Sequence, residues 1–264
     1  MTTPSDIREH YDSLALIYRT FWGEHIHHGF FRTAGDSPQD AQVNLVERCI
    51  GLLSPESIHN VLDVGCGFGA TLLHVAKTFN AHGMGLTISP KQAQIALHEA
   101  HKAGLGDPLQ FLVADAESFD FPASAFDLVW AMESSEHFAE KAGFFCNVQK
   151  TLRPAGQLLL TTWNGDMRSQ AVAAVAQAFL CPELWTVEQY RNAIESTGMR
   201  IQDVQDLTSN VVPTWTICEE RLAAVDRIAK LMPRRVREFL GGISVILNAY
   251  RSGDLTYNVF VAQK

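Results

Sequence analysis

Cysteine is scarce and unpatterned in this chain. Its 264 residues include five, Cys49, Cys66, Cys146, Cys181 and Cys218, with no C-x-x-C pair and no even framework. That excludes a disulfide scaffold and a zinc ribbon, and predicts reduced, mostly buried thiols in a cytoplasmic protein. Positive charge is also in deficit: 21 Lys and Arg stand against 29 Asp and Glu, for a net charge of −8. This balance argues against nucleic acid or an anionic membrane as partner, and the basic run "PRRVR" at 233–237 is too short to reverse it. No apolar run approaches the ~20 residues that cross a bilayer. The opening "MTTPSDIREHYDS" lacks the apolar centre of a signal peptide. Internal repeats, low-complexity tracts and Pro/Gly-rich linkers are absent, so one domain over residues 1–264 is expected. With 47% hydrophobic residues the chain can bury a sizeable core without staples.

What is present is alternation. Ile7, Tyr11, Leu14, Ile17, Tyr18 and Phe21 share one face of a helix expected over 5–22 and capped by Ser5. "WGEHIHHGFF" breaks that pattern, and a second helix is expected over about 38–53. Strands and helices then follow in turn: "VLDVG" and "ATLLHVAKTF", "AHGMGLTI" and "SPKQAQIALHEAHKAG", "LQFLVAD" and a loop, "FDLVWAM" and "AEKAGFFCNVQKTL", then "GQLLLTTW". Near-continuous apolar strands separated by helices imply a parallel sheet covered on both faces. After Trp163 the regularity fails. A helix near 168–180, "TVEQYRNAIESTG", "RIQDVQDLT" and a helical region at 215–250 intervene before the last strand, "LTYNVFVAQK". The fold class is therefore α/β, a doubly wound, mostly parallel sheet with an N-terminal helical segment and a helical cap inserted before the last strand.

"VLDVGCGFGA" sets Gly65, Gly67 and Gly69 between a strand and a helix, where a doubly wound sheet binds its ligand. Gly65-x-Gly67-x-x-Ala70 satisfies the dinucleotide fingerprint, so NAD is one reading. That fingerprint wants an acid on the ribose at the next strand end, and this chain has "GLTIS" with Thr87 there. Asp63, inside the loop, suits the ammonium of an amino-acid moiety, which NAD lacks; S-adenosylmethionine (SAM) has one. Asp115 in "VADAESFDFP" stands at a third strand end, placed to accept from the adenine amine, with the Ala116 N–H near a ring nitrogen. A plainer role for Asp115 is to cap the turn that follows.

With these motifs the chain resembles class I SAM-dependent methyltransferases (Rossmann-like), and within them the gamma-tocopherol methyltransferase group. The resemblance rests on "WGEHIHHGFF" (22–31), "VLDVGCGFGAT" (61–71), "GLTISPKQAQIA" (85–96) and "FDLVWAMESSEHFAEKAGFF" (126–145), and more loosely on "PELWTVEQYRNAIESTGM" (182–199). It implies a cofactor site of Tyr11, Asp63, Gly65, Cys66, Gly67, Thr87, Ile88, Gln92, Asp115, Ala116 and Met132, with S-adenosyl-L-homocysteine as product. It also implies a seven-stranded sheet, with a helical lid over 1–55, a SAM-binding core over 56–165, a substrate cap over 166–250 and a final strand over 251–264.

A methyl acceptor with an O–H or C–H needs its proton removed, and a neutral imidazole suits that task near pH 7. His137, just past the fourth strand, is the expected base. Glu133 and Glu136 are candidates to orient it, to hold the cofactor's ammonium or to take the proton. The resemblance to phosphoethanolamine-type relatives implies Tyr18 as the partner of His137. His25, His27 and His28 crowd four positions, yet no nearby Cys or acid completes a zinc set, so no metal is expected. They suit a lid instead, with Trp22, Phe30 and Phe31 excluding water. Trp22, His25, His28, Glu136, Trp163 and Trp185 are the expected substrate contacts, and Trp215 is a further aromatic wall. The function expected is methyl transfer to a small, largely apolar metabolite such as a prenylated phenol, alkaloid, terpenoid or polyketide, at carbon, nitrogen or oxygen. An NAD-dependent oxidoreductase, or a cyclase or binding module that keeps SAM without spending it, are the alternatives. The chain is compatible with a homo-oligomer.

Overall fold

The computed structural model describes residues 3–17, 19, 23–54, 58–224 and 232–264. One sheet organises them. Its strands are β1 (Asn60–Val64), β2 (His82–Thr87), β3 (Leu109–Val113), β4 (Phe126–Met132), β5 (Leu152–Gly165), β6 (Arg200–Asp206) and β7 (Leu255–Gln263). Their spatial order is β3-β2-β1-β4-β5-β7-β6. Pairings among β1 to β5 are parallel, while β7 runs antiparallel to both β5 and β6. The chain leaves β1 for β2 on one side and reaches β4 on the other, so a crevice opens at the carboxyl end of β1. The parallel run β1 to β5 is the one expected from the alternation, and the count of seven strands is the one the resemblance implies.

Side chains alternate across the pleat and so divide the core in two. Val61, Leu128, Trp130, Leu159, Val259 and Val261 face one layer, where α2 (Pro38–Ile50), α3 (Ala70–Phe79) and α6 (Gln170–Ala178) pack. Leu62, Val64, Val129, Leu158, Leu160 and Phe260 face the other, beneath α5 (Lys141–Thr151) and α7 (Val187–Ser196). Both faces of the central strands are dry, which is why their sequences read as apolar runs rather than alternating ones.

Local chemistry starts the helices. Ser37 caps α2, Ser89 caps α4 (Pro90–Lys102), and Thr186 with Gln189 forms a capping box at the start of α7. The first helix, α1 (Pro4–Ile17), begins with Thr3 instead of Ser5: the Thr3 hydroxyl accepts from the Asp6 N–H at 3.2 Å, and Asp6 Oδ2 accepts from the Thr3 N–H at 2.9 Å. The stretch 18–22 expected to extend α1 includes Tyr18, Phe21 and Trp22, which lie outside the described residues.

The helical region expected over 215–250 is α9 (Pro213–Ala224) and α10 (Arg234–Ser252), after a short α8 (Thr208–Val211). Phe239, Ile243, Ile246 and Leu247 of α10 join the same core layer as Val172, Val175 and Phe179 around α6. β5 starts at Leu152, four residues before the expected Gly156, because Leu152 pairs with Phe126 ahead of a register shift. Among the described residues no helix is long and apolar enough to cross a membrane.

Candidate active site

Four strand ends and two N-terminal segments enclose a cleft of about 990 Å³, its open mouth included. Its floor is Asp63, Gly65, Cys66 and Gly67 after β1, with Thr87, Ile88 and Gln92 after β2, Asp115 and Ala116 after β3, and Met132 to Ser134 after β4. Ile7 and Tyr11 of α1 and His25 to His27 form the roof.

The Gly65 N–H and the Cys66 N–H both donate to the Leu86 carbonyl, at 2.9 and 2.8 Å, which folds the loop back onto β2. Gly65 has φ +80°, and a Cβ there would stand 2.4 Å from that of Ser134. Only glycine gives both the left-handed turn and the close approach of two strand ends. Beside it Asp63 is 2% exposed, and its Oδ2 has no partner. The Ser134 hydroxyl is buried and unpartnered as well. Burial pushes the Asp63 carboxyl up to about 7. A carboxyl of this kind awaits a donor, and a ligand's ammonium beside a glycine-walled cradle would satisfy it.

Thr87 donates its hydroxyl to Gln92 Oε1 at 2.6 Å and accepts from the Ser89 N–H at 3.1 Å. The Gln92 oxygen is thereby committed, and its amide nitrogen remains as a donor on the cleft. Asp115 Oδ1 accepts from the Glu117 N–H at 3.0 Å, so this residue caps its turn while also lining the cleft.

The roof is tied down from α4. Ser89 Oγ donates to Asp12 Oδ1 at 2.5 Å, and Lys91 Nζ donates to the Asp12 carbonyl at 2.8 Å. One residue back, the Tyr11 hydroxyl bonds His137 Nε2 at 2.9 Å with the rings edge to face. Tyr11, expected at the cofactor, lines the cleft and also holds His137, while Tyr18, expected at His137, lies outside the described residues. Burial, reinforced by the charge of His10, pushes the His137 imidazole down to about 4, with the Leu180 carbonyl opposing.

Behind the Tyr11–His137 pair lies an inner cavity lined by His10, Ile26, His27, His28, Glu133, Glu136, Trp163, Phe179, Trp215 and Phe239. The two spaces share Tyr11, Ile26, His27, Glu133 and His137 as a common wall. Glu136 is 1% exposed; its Oε1 accepts from the Trp163 N–H at 2.9 Å, while Oε2 is buried without a partner. Burial first, and the Glu133 charge second, raise the Glu136 carboxyl to about 8.

Glu133 differs from the expectation. Its carboxylate accepts from the His28 N–H and from His28 Nδ1, each at 2.8 Å, from the Tyr257 hydroxyl at 2.8 Å and from Trp163 Nε1 at 3.2 Å. Burial alone would raise this carboxyl, but His28, with His27 behind it, more than offsets that and holds it below the ordinary range. An acid so fully partnered is a poor proton acceptor. The histidine that it orients is His28, not His137. Glu133 also has φ +50°, a left-handed conformation that turns the chain sharply out of β4.

His28 in turn accepts at Nε2 from Trp215 Nε1, an obligate donor, and contacts the Tyr250 hydroxyl at 3.2 Å. Both ring nitrogens are therefore engaged by protein, and His28 is a post of the cavity wall without an atom to spare for substrate. His25 lines the cleft rather than the inner cavity, bonding His27 at 3.0 Å and Thr71 at 3.3 Å. Trp185 reaches neither space: it packs on Tyr190, donates to Glu183 at 3.0 Å and lies under the Lys141 ammonium. Trp22 lies outside the described residues. Among the described residues no three His, Cys, Asp or Glu side chains form a group that could hold a metal ion.

Sequence reasoning missed Tyr257, Tyr250 and Lys141. The first two come from distant elements and carry no local signal. Lys141 did carry one, since a cation in the first turn of a helix opposes its dipole.

Compared with known proteins, residues 1–253 match the family described as Mycolic acid cyclopropane synthetase. The chloroplastic tocopherol O-methyltransferase of Arabidopsis thaliana is 27% identical over 283 residues, covering 98% of this chain and 81% of that protein. The 27-O-demethylrifamycin SV methyltransferase of Amycolatopsis mediterranei is 28% identical over 226 residues, covering 83% of this chain and 82% of that protein. Among solved structures, the (4+2)-cyclase SpnF aligns with a TM-score of 0.84 at 25% identity, over 99% of this chain and 97% of that one.

Proposed function

The chain belongs to the mycolic acid cyclopropane synthetase family, and from that membership we propose that it binds SAM in the cleft and methylates a small, largely apolar acceptor in the inner cavity. The observation that carries this reading is the unpartnered Asp63 Oδ2 in a glycine-walled cradle, separated by one histidine–tyrosine wall from a chamber of aromatic rings. The donor set fits SAM better than NAD. Asp63 would meet an ammonium, Thr87 and Gln92 the ribose, and Asp115 with the Ala116 N–H the adenine. Bound there, SAM supplies a sulfonium-activated methyl group and is left as S-adenosyl-L-homocysteine. In this reading the lid (1–55) and cap (166–250) close on the core (56–165) as parts of one domain. The net charge of −8 and five free thiols support a cytoplasmic setting.

The chain's own residues do three things in this proposal. Trp163, Phe179, Trp215 and Phe239 exclude water and seat an apolar acceptor, which strengthens every polar contact made inside. His137, held by Tyr11, fixes the wall past which the acceptor atom must approach; pushed down to about 4, its imidazole is a weak proton acceptor at neutral pH. Glu136 is the better base, because Oε2 is unpartnered and its carboxyl titrates near 8, close to a working pH. The proton of an acceptor O–H passes to the ionised Glu136 carboxylate, and the oxygen lone pair so freed forms the new bond to carbon.

The tocopherol and rifamycin enzymes, by name, methylate hydroxyl-bearing molecules, which supports an oxygen acceptor. The likeness to a (4+2)-cyclase favours one rival, in which the cleft keeps its ligand and the inner cavity only folds a substrate. A panel of apolar phenols, polyketides and amines incubated with methyl-labelled SAM and read by mass spectrometry separates the two. Label in the acceptor is the expected result; an isomerised acceptor without label would favour the rival.

A further inference from the structure

We propose that Lys141 is a positioning residue: its buried ammonium clamps the turn carrying Glu136 and His137 to the cap segment at Glu183. The side chain is 1% exposed. Its Nζ donates to the Phe138 carbonyl at 2.5 Å, the Glu183 carbonyl at 2.8 Å and the Glu136 carbonyl at 3.4 Å, and lies 5.6 Å from the centre of the Trp185 ring. Two of those carbonyls flank His137. They close a single 3-10 turn, Ser135–His137, whose own bonds are two contacts of 3.1 and 3.2 Å. Carbonyls at the end of so short a turn have no partners of their own, and Lys141 supplies one.

The third carbonyl belongs to a different part of the chain. Glu183 precedes Trp185, whose carbonyl accepts from the Gly165 N–H at 3.2 Å and whose backbone bridges Asn164 at the end of β5. Lys141 thus joins the β4–α5 turn to the segment leading into α7. The placement is locally unfavourable twice over. A cation at the first position of α5 opposes the helix dipole, and an ammonium removed from water loses hydration that carbonyls only partly replace. Those costs are offset by the three carbonyls, two on the turn that carries His137 and one across the chain at Glu183, which ties the placement to the site.

The charge also acts at a distance. The Lys141 ammonium favours the ionised form of Glu136 and disfavours the imidazolium of His137. Glu133, His10, Tyr11, Cys181 and Tyr190 face these two groups from other elements, and Glu117 and Glu183 face Lys141 itself. None of these others brings a fixed positive charge to Glu136. The inference rests on the proposed function only in that Glu136 and His137 matter if the inner cavity takes an acceptor.

The test uses full-length protein with ¹⁵N-tryptophan. The Trp163 N–H donates to Glu136 Oε1, so its amide shift reports the titration of that acid. Wild type should titrate near 8, and both Lys141→Met and Lys141→Gln should titrate measurably higher. Lys141→Met should also speed amide exchange at 183–186 more than Lys141→Gln, which keeps a donor for the carbonyls. An unmoved Trp163 midpoint in both variants would overturn the role. Should Lys141→Met fail to fold, Lys141→Gln alone carries the titration reading. SAM affinity, measured on the same samples, should stay near the wild-type value, since Lys141 does not line the cleft. Absence of SAM binding in wild type would strike the proposed function, while the Trp163 shift would still decide the role of Lys141.

Discussion

Glu133 and His28, 105 residues apart in the chain, are joined by two hydrogen bonds of 2.8 Å, one from the histidine backbone and one from its ring. The pair pins the segment around His28 to the end of β4, and Tyr257 and Trp163 complete it. Glu133→Gln keeps the shape but turns an amide N–H₂ toward the His28 ring and the Trp163 indole N–H, which donate there. It should destabilise the fold by about 3 kcal/mol, seen as a lower urea midpoint at unchanged slope. Because the Glu133 carboxyl is held below the ordinary range, its contribution is present above that range and lost as pH falls through the folded value. The variant should therefore differ most from wild type at neutral pH and converge with it in acid. A variant as stable as wild type would show that the pair is ornamental.

Tyr11→Phe deletes the hydroxyl that holds His137 Nε2. The loss should cost about 1 kcal/mol of stability. If the pair fixes the acceptor's approach, turnover should fall between about tenfold and about a hundredfold, with SAM affinity changed much less. Single-turnover rates beside calorimetric SAM titrations make the comparison. Equal losses in rate and SAM affinity would place Tyr11 with the cofactor instead.

Glu136→Gln tests the base. Wild-type turnover of a hydroxyl acceptor should rise with pH through about 8, where the Glu136 carboxyl ionises. The variant should be slower by about 10²-fold or more and lose that limb. Stability carries the opposite sign. The folded value lies above the unfolded one, so the favourable term is full in acid and lost as pH rises toward about 8. Wild type should therefore lose more melting temperature between about pH 5 and about pH 8 than the variant does. A pH–rate profile that keeps its rising limb in Glu136→Gln would remove this residue from the chemistry.

Local signals carried the sheet and the floor of the cleft. Apolar strands, the turn through Gly65 and Gly67, and Thr87 and Asp115 at strand ends are each legible within a few neighbouring residues, because strand, turn and helix cap are short-range decisions. The pairings that build the inner cavity are not. Tyr11 meets His137 across 126 positions, and Tyr257 meets Glu133 across 124. A single sequence offers no register between such segments, so only a resemblance could propose Tyr18 for His137, and Glu133 was paired with the neighbouring His137 instead of the distant His28. Trp185 shows the same limit: an aromatic residue in a cap region looks like a substrate wall until a capping box and Tyr190 turn it away. Thr3 against Ser5 is a smaller case, two hydroxyls within one turn that are both able to cap.

Calorimetric titration with SAM across pH, on wild type and Asp63→Asn, tests the central claim most directly. Burial holds Asp63 near 7, and a bound ammonium would ionise it, so binding should release a proton and tighten between about pH 6 and about pH 8. The account predicts a one-to-one complex with that pH dependence in wild type, and weaker, pH-flat binding in Asp63→Asn. No complex with wild type, or an affinity indifferent to both pH and Asp63, would contradict it.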